Sequence, residues 1–259
     1  MRWEDCSSLK LAAMPRATPV VLNIAAIEQH GPHLPLSTDA LIGRHFTEHL
    51  SQELGNKVLI LPQIAVCCSA HHMDFPGTLT VSHESLLAYA FDCLISVADN
   101  GFHNIVIFNS HGGNLAIGQV LLEKLGLARP EANVFMLTWW QIAAQKLQGL
   151  QESEFGGIGH ACEFETSLVL HIDPALVDEE EMIDVKPLEL FEWTAGDLLH
   201  GARGAVHRTM HELTHGTGVF GAARRASLAK GKAISDAVMS ELASIVCDIS
   251  RLKPRSDDA

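Results

Sequence analysis

Three short stretches of this chain combine carboxylates and imidazoles in ways that suit metal chemistry. The first is Glu28-Gln29-His30-Gly31-Pro32-His33, leading to Ser37-Thr38-Asp39. In extended chain Glu28 and His30 project to the same side, because side-chain direction repeats every two residues. Asp39 stands at a predicted helix start, where the helix dipole favours its charge. A Glu, a His and an Asp offered together are ligands for Zn²⁺, Mn²⁺ or Fe²⁺. The competing reading of the same residues is a polar loop followed by a capped helix. The second stretch, Asn109-Ser110-His111-Gly112-Gly113-Asn114, follows an apolar run and opens a helix. Its two glycines let backbone or substrate approach closely. It lacks the Lys and the spacing of a phosphate-cradling loop, so His111 is read as a ligand. The third, His160-Ala161-Cys162-Glu163-Phe164-Glu165-Thr166-Ser167, sets one imidazole beside two carboxylates. Acidic residues at a helix start can serve the dipole alone. Two of them beside a histidine exceed what capping requires.

Two rival chemistries are weaker. His211-Glu212-Leu213-Thr214-His215 is a literal H-E-x-x-H, which on a helix would bind zinc with Glu212 as base. Gly216 and Gly218 follow at once, and position 221 is Gly rather than a third His, so the supporting helix must be short. Cys162 near His160 suggests thiol catalysis, but side chains two apart on a helix do not face each other.

The ligands must be gathered by elements that lie far apart in sequence. Val20 to Ala26, Val58 to Leu61, Asn104 to Phe108 and Asn133 to Thr138 are near-continuous apolar runs suited to strands covered on both faces. Helices are predicted over Asp39 to Leu54, Ser82 to Ala98, Leu115 to Leu125 and about Ser227 to Leu252. Residues 174 to 220 show no regular pattern. Strands alternating with helices predict an α/β fold. Glu28 and His30 come just after the first strand, His111 after the third, and Trp139-Trp140 after the fourth. In an open parallel sheet such segments meet at the carboxyl edge, where these folds bind ligands.

The 259 residues show no repeat, low-complexity tract or linker, and are read as one domain over 1–259. A formal charge of -13 argues against nucleic acid or an anionic membrane as partner, since both need a basic surface. A cationic metal tolerates that balance best. The opening MRWEDCSSLKLAAMPRA reads as no secretory signal, and no run approaches the ~20 apolar residues of a membrane span. Six cysteines without a C-x-x-C pair point to reduced thiols in a cytoplasm.

Taken together, Glu-Gln-His-Gly-Pro-His-Leu-Pro-Leu-x-Thr-Asp, Asn-x-His-Gly-Gly-Asn and His-Ala-x-Glu-x-Glu-Thr-Ser resemble the creatininase family. Phe75-Pro76-Gly77-Thr78-Leu79-Thr80, preceded by His71-His72, resembles a further block of that family, as does His215-Gly216 through to Lys230-Gly231. The blocks run in family order over roughly residues 20 to 235. The resemblance implies a three-layer α/β/α sandwich with a mostly parallel central sheet, assembled as a homohexamer. It implies two divalent metal ions per subunit, as Zn, Mn or Fe. Glu28 and His111 would bind one metal and His30 the other, with Asp39 bridging and Glu163 completing the second. His160 would shuttle the proton and Glu165 would orient it or a ligating histidine. Ser69, His71, His72, Trp139 and Trp140 are candidate substrate contacts. Creatinine amidohydrolase itself carries a metal-binding Glu where this chain has Gly113, and a substrate-stacking Trp where it has Gly156. The expected reaction is therefore cleavage, by metal-activated water, of a C–N bond in a small cyclic amide or formamide other than creatinine. A cyclic polyol ketone or a peptide tail is the alternative substrate within the family. Outside it stand an H-E-x-x-H metalloprotease or a metal-binding protein without catalysis.

Overall fold

The computed structural model describes residues 1–255. A short helix α1 (Ser8–Ala12) leads to strand β1 (Val20–Ile24), helix α2 (Thr38–Leu54), strand β2 (Leu59–Ile60) and helix α3 (His83–Asp99). Next come β3 (Asn104–Asn109), α4 (Leu115–Ala128), β4 (Asn133–Thr138) and two short helices, α5 (Trp139–Ile142) and α6 (Ala144–Gln148). The chain continues through β5 (Ile158–His160), α7 (Glu163–Ile172), β6 (Asp184–Val185), α8 (Met210–Leu213), β7 (Phe220–Ala222) and α9 (Leu228–Ile249).

The central sheet has the order β2-β1-β3-β4, with every pairing parallel. Alternation along its strands divides the core in two. Val20, Leu22 and Ile24 of β1, with Ile105 and Ile107 of β3, pack toward Leu86, Ala90 and Leu94 of α3 and Leu121 and Leu125 of α4. Val21, Val106 and Phe108 face the other way, onto Ile42 and Phe46 of α2, Leu168 of α7 and Val238 and Leu242 of α9. Helices thus cover both faces, which makes the three-layer α/β/α arrangement. α7 and α9 pack closely because Gly231 brings the α9 backbone against the Ser167 carbonyl, where a Cβ would collide. A second, three-stranded antiparallel sheet, β5-β7-β6, carries His160 at one end. Its strands have two or three residues each, too short to leave a periodic signal.

The ends of two helices show how local sequence sets them. α4 runs through Gly126 to Ala128, and ends where Arg129 precedes Pro130, a position disfavouring helix. α2 starts without a Ser37 side-chain cap; instead Thr38 Oγ1 donates to the Pro35 carbonyl at 2.7 Å. Ser82 and Ser227 do cap, accepting from the backbone N–H of Ser85 and Lys230. No helix among the described residues is long and apolar enough to cross a membrane.

The sheet order places a topological switch between β1 and β3, since connections leave these neighbours toward opposite edges. Ligands of open α/β sheets bind outside the carboxyl ends of strands at such a point. Glu28 follows β1 and His111 follows β3, so the two arrive at that crevice together.

Candidate functional site

The segment after β1 is anchored by a hydrogen bond from Glu28 N to Leu36 O (2.9 Å). His30 Nδ1 lies 3.1 Å from the Glu28 carbonyl, which turns its Nε2 toward Asp39 Oδ1 at 3.6 Å. Asp39, in the first turn of α2, holds its other oxygen 3.1 Å from His111 Nδ1. His111 Nε2 stands 3.3 Å from Glu28 Oε2. One carboxylate therefore divides its oxygens between two imidazoles, and each imidazole has a second carboxylate or histidine within reach. Glu28, His30 and Asp39 form one group with potential ligand atoms within 4.8 Å of one another; His30, His160 and Glu165 form another.

β5 and α7 supply the remaining residues. Ala161 between them adopts φ +52°, a left-handed conformation uncommon outside glycine. That turn lets Glu165 Oε2 accept from Ala161 N at 2.6 Å while His160 and Glu165 both face His30. His160 Nε2 donates to the Gln29 carbonyl at 2.7 Å, leaving Nδ1 3.6 Å from Glu28 Oε1. His72 joins from the other side, its Nε2 3.3 Å from Glu28 Oε1, and its Nδ1 accepting from Gln29 Nε2 at 2.9 Å.

The donor set fits divalent metal. Glu28 Oε1 and Oε2, His30 Nε2 and Asp39 Oδ2 are buried without a hydrogen-bond partner. Buried carboxylates that lack a well-formed hydrogen bond cost several kcal/mol unless positive charge compensates them. The electrostatics of the cluster point to the same need for positive charge. Burial works to lower His30, but Asp39 outweighs it and raises the imidazole to about 9. His111 is likewise raised, burial being overcome by Glu28 and Asp39. Asp39 is held well below the carboxylate range, since His30 and His111 overcome its burial. Glu165 is pushed up to about 7, chiefly by burial. His160 and His72 are both lowered, by burial and then by neighbouring imidazoles, so each stays neutral.

A cleft of about 410 Å³ opens above the cluster. Glu28, Asp39, His111, His160 and Glu165 reach it from below, while Trp140, Phe155, Leu188, Leu198 and Phe220 form largely apolar walls.

The structure departs from the sequence expectations at several residues. Glu163 is not brought to the cleft. Its carboxylate pairs with Lys230 Nζ of α9 and accepts from the backbone N–H of Glu152 (2.9 Å) and Ser153 (3.0 Å). Two positions along α7 turn the chain by about 200°, so Glu165 faces His30 and His160 and Glu163 faces away. Trp139 is fully buried beside Phe46 and Trp140, and does not line the cleft; Trp140 does. Ser69 is buried outside the lining, its N–H donating to Thr80 Oγ1 at 2.9 Å, whereas His72 lines the cleft. In the H-E-x-x-H stretch α8 ends at Leu213, and His215 lies beyond it at φ +53°. Glu212 accepts from Thr209 N in a capping box, with no shared histidine face behind it. Burial raises the Cys162 thiol far out of nucleophile range.

Gln29 was not singled out, although it lies between two expected ligands. It touches His72, His160 and the Gly31 N–H, and Gly218 leaves room for it where a Cβ would strike its Oε1.

The family model described as creatininase, creatinine amidohydrolase, matches residues 1–246. The mycofactocin precursor peptide peptidase of Mycobacterium tuberculosis (strain ATCC 25618 / H37Rv) is 29% identical over 268 residues, covering 98% of this chain and 93% of its own. The 3-dehydro-scyllo-inosose hydrolase of Thermotoga maritima is 25% identical over 250 residues, covering 91% and 78%. A solved structure described as creatininase Mn superposes with a TM-score of 0.79 at 22% identity, covering 97% of this chain and 99% of that one. A creatininase variant described as Zn–Zn type gives the same TM-score.

Proposed function

This chain belongs to the creatininase family, and we propose that it is a two-metal amidohydrolase cleaving a C–N bond of a small amide. The observation that carries this reading is Asp39. Its two oxygens are split between His111 and His30, so it stands between two half-sites. Glu28 and His111 make one half, and His30 and Glu165 the other. Glu165 thus takes the role that the sequence assigned to Glu163.

When bound, two divalent ions supply Lewis acidity and a water that ionises near neutral pH. The protein's own part is orientation and proton movement. The Glu28 carbonyl fixes the His30 ring, and the Gln29 carbonyl holds the proton on His160 Nε2. Nδ1 of His160 is then the atom free to accept a proton and pass it to the leaving nitrogen. Burial and the neighbouring imidazoles lower the basicity of this ring, which keeps it neutral. The apolar walls exclude water and suit an amide flanked by an apolar group.

A peptide-tail substrate is the second reading. It is favoured by the match to the peptide peptidase along nearly the whole of both chains. Metal analysis of purified protein, then turnover of cyclic amides, N-formyl compounds and short peptides ending in apolar residues, tests both. Two ions per chain and hydrolysis of one class are expected, with Asp39→Ala folded but metal-poor. Wild-type protein without bound metal, or Asp39→Ala with full occupancy, would refute the assignment.

A further inference from the structure

His71 and His72 are imidazoles at the cleft for which neither the metal pairing nor the proton path above has a use, but His72 is held by Gln29. His71 sits in the short turn Ala70–His72, lines the cleft, and has no hydrogen-bond partner among the described residues. A ligand atom of His71 lies within 4.8 Å of ligand atoms of both Glu28 and His111. Its ring is stacked with that of His111, centroids 5.8 Å apart and planes 19° from parallel.

The neighbouring backbone explains why the position matters. A Cβ built on Gly113 would lie 2.5 Å from the Cys68 carbonyl oxygen and 2.9 Å from His71 Cε1, and would also meet His111 Nε2. The Cys68 carbonyl is itself 3.0 Å from His111 Nε2. The backbone therefore leaves no room for a side chain at 113, and the imidazole of His71 lies beside that space. The chain has no carboxylate at 113, and an unpaired imidazole stands over that space.

We propose that His71 is a protein ligand of the metal held by Glu28 and His111, taking the place a carboxylate at position 113 would fill. The inference rests on the two-metal reading above. It makes that half-site Glu28, Asp39, His111 and His71, with two carboxylates and two imidazoles. Nitrogen ligands favour Zn²⁺ and Fe²⁺ over Mn²⁺, which prefers oxygen. The half-site of His30, Asp39 and Glu165 is untouched by the change.

The test compares wild type, His71→Ala and His71→Glu by metal content, chelator competition and X-ray absorption of the Zn-loaded proteins. His71→Ala is expected to keep one tight Zn²⁺ and to bind the other at least ~10-fold more weakly, the lower end for losing even an outer partner of a metal site. The mean number of imidazoles per zinc should fall with it. His71→Glu should restore two ions and shift competition between equimolar Zn²⁺ and Mn²⁺ toward Mn²⁺, which a merely structural role would not do. Two ions in His71→Ala at wild-type affinity, or no change of metal preference in His71→Glu, would overturn the inference and leave the two-metal site standing. A wild type that binds no metal would remove both.

Discussion

Glu163 and Glu165 lie two residues apart and meet entirely different partners. Glu163 is fully buried with Lys230, which is 8% exposed, so the pair is a desolvated one. Glu165 is buried too, but its partners are the His30 and His160 imidazoles and the Ala161 N–H. Breaking a buried ion pair by neutralising one member costs about 3–5 kcal/mol, because the other charge is stranded. Glu163→Gln should therefore retain two metals and lose stability of that order in urea unfolding. Glu165→Gln should unfold nearly as wild type does without metal, yet bind one ion fewer per chain. The pair of measurements decides the assignment: a Glu163→Gln protein short of metal, beside a fully loaded Glu165→Gln, would exchange their roles.

At the level of elements, the helices behind the sheet hold a second group of histidines away from the cleft. His45 of α2 contacts His49 one turn on, His171 of α7 and Ser235 of α9, whose hydroxyl is 2.7 Å from His45 Nε2. Burial, with His49 and His171 adding to it, lowers His45 to about 4. An unfolded histidine titrates near ~6.5. Between those values the unfolded chain takes up a proton that the native helix junction refuses. His45 thus leaves stability intact above about pH 6.5, removes it as pH falls toward 4, and has no further effect below that. Melting temperature should fall more steeply between pH 7 and 4.5 for wild type than for His45→Asn. Parallel curves for the two proteins would show that another group carries the acid sensitivity. The same scale accounts for α8. With four residues and Gly216 and Gly218 close behind, it cannot place His211 and His215 on one face, and the H-E-x-x-H spelling has no helix to act through.

Across the whole molecule, the cleft is made by parts that do not know of one another in sequence. The parallel sheet brings Glu28 and His111 together, the small antiparallel sheet presents His160, and the irregular segment around 187–206 roofs the space with Leu188, Leu190 and Val206. Where creatinine amidohydrolase is expected to stack an aromatic, Gly156 stands at φ +83° with open space around it, while Phe155 and Trp140 form the walls. A cleft so shaped should turn over creatinine poorly and favour an amide with a larger apolar flank. Steady-state assays with the native metal check this. Creatinine turnover at kcat/KM of ~10⁴ M⁻¹s⁻¹ or more, the ordinary enzymatic range, would contradict it.

The sequence by itself was enough for the α/β class and for the expectation, matched by their proximity in the fold, that Glu28, His30, Asp39, His111 and His160 come together. Strands covered on both faces must be continuously apolar, and the segments that follow them carry the polar residues, so both signals are local and survive in one dimension. What the sequence could not decide was direction. The roles of Glu163 and Glu165 depend on which way α7 is rotated, and that is set by Lys230 arriving from α9, 67 positions away. Trp139 and Trp140 are divided in the same manner, one into the core against α2 and one into the cleft. His71 is read as a ligand only once Gly113 and the Cys68 carbonyl are seen beside it. In each case the outcome follows from packing between elements distant in sequence, and no spacing within a motif encodes that.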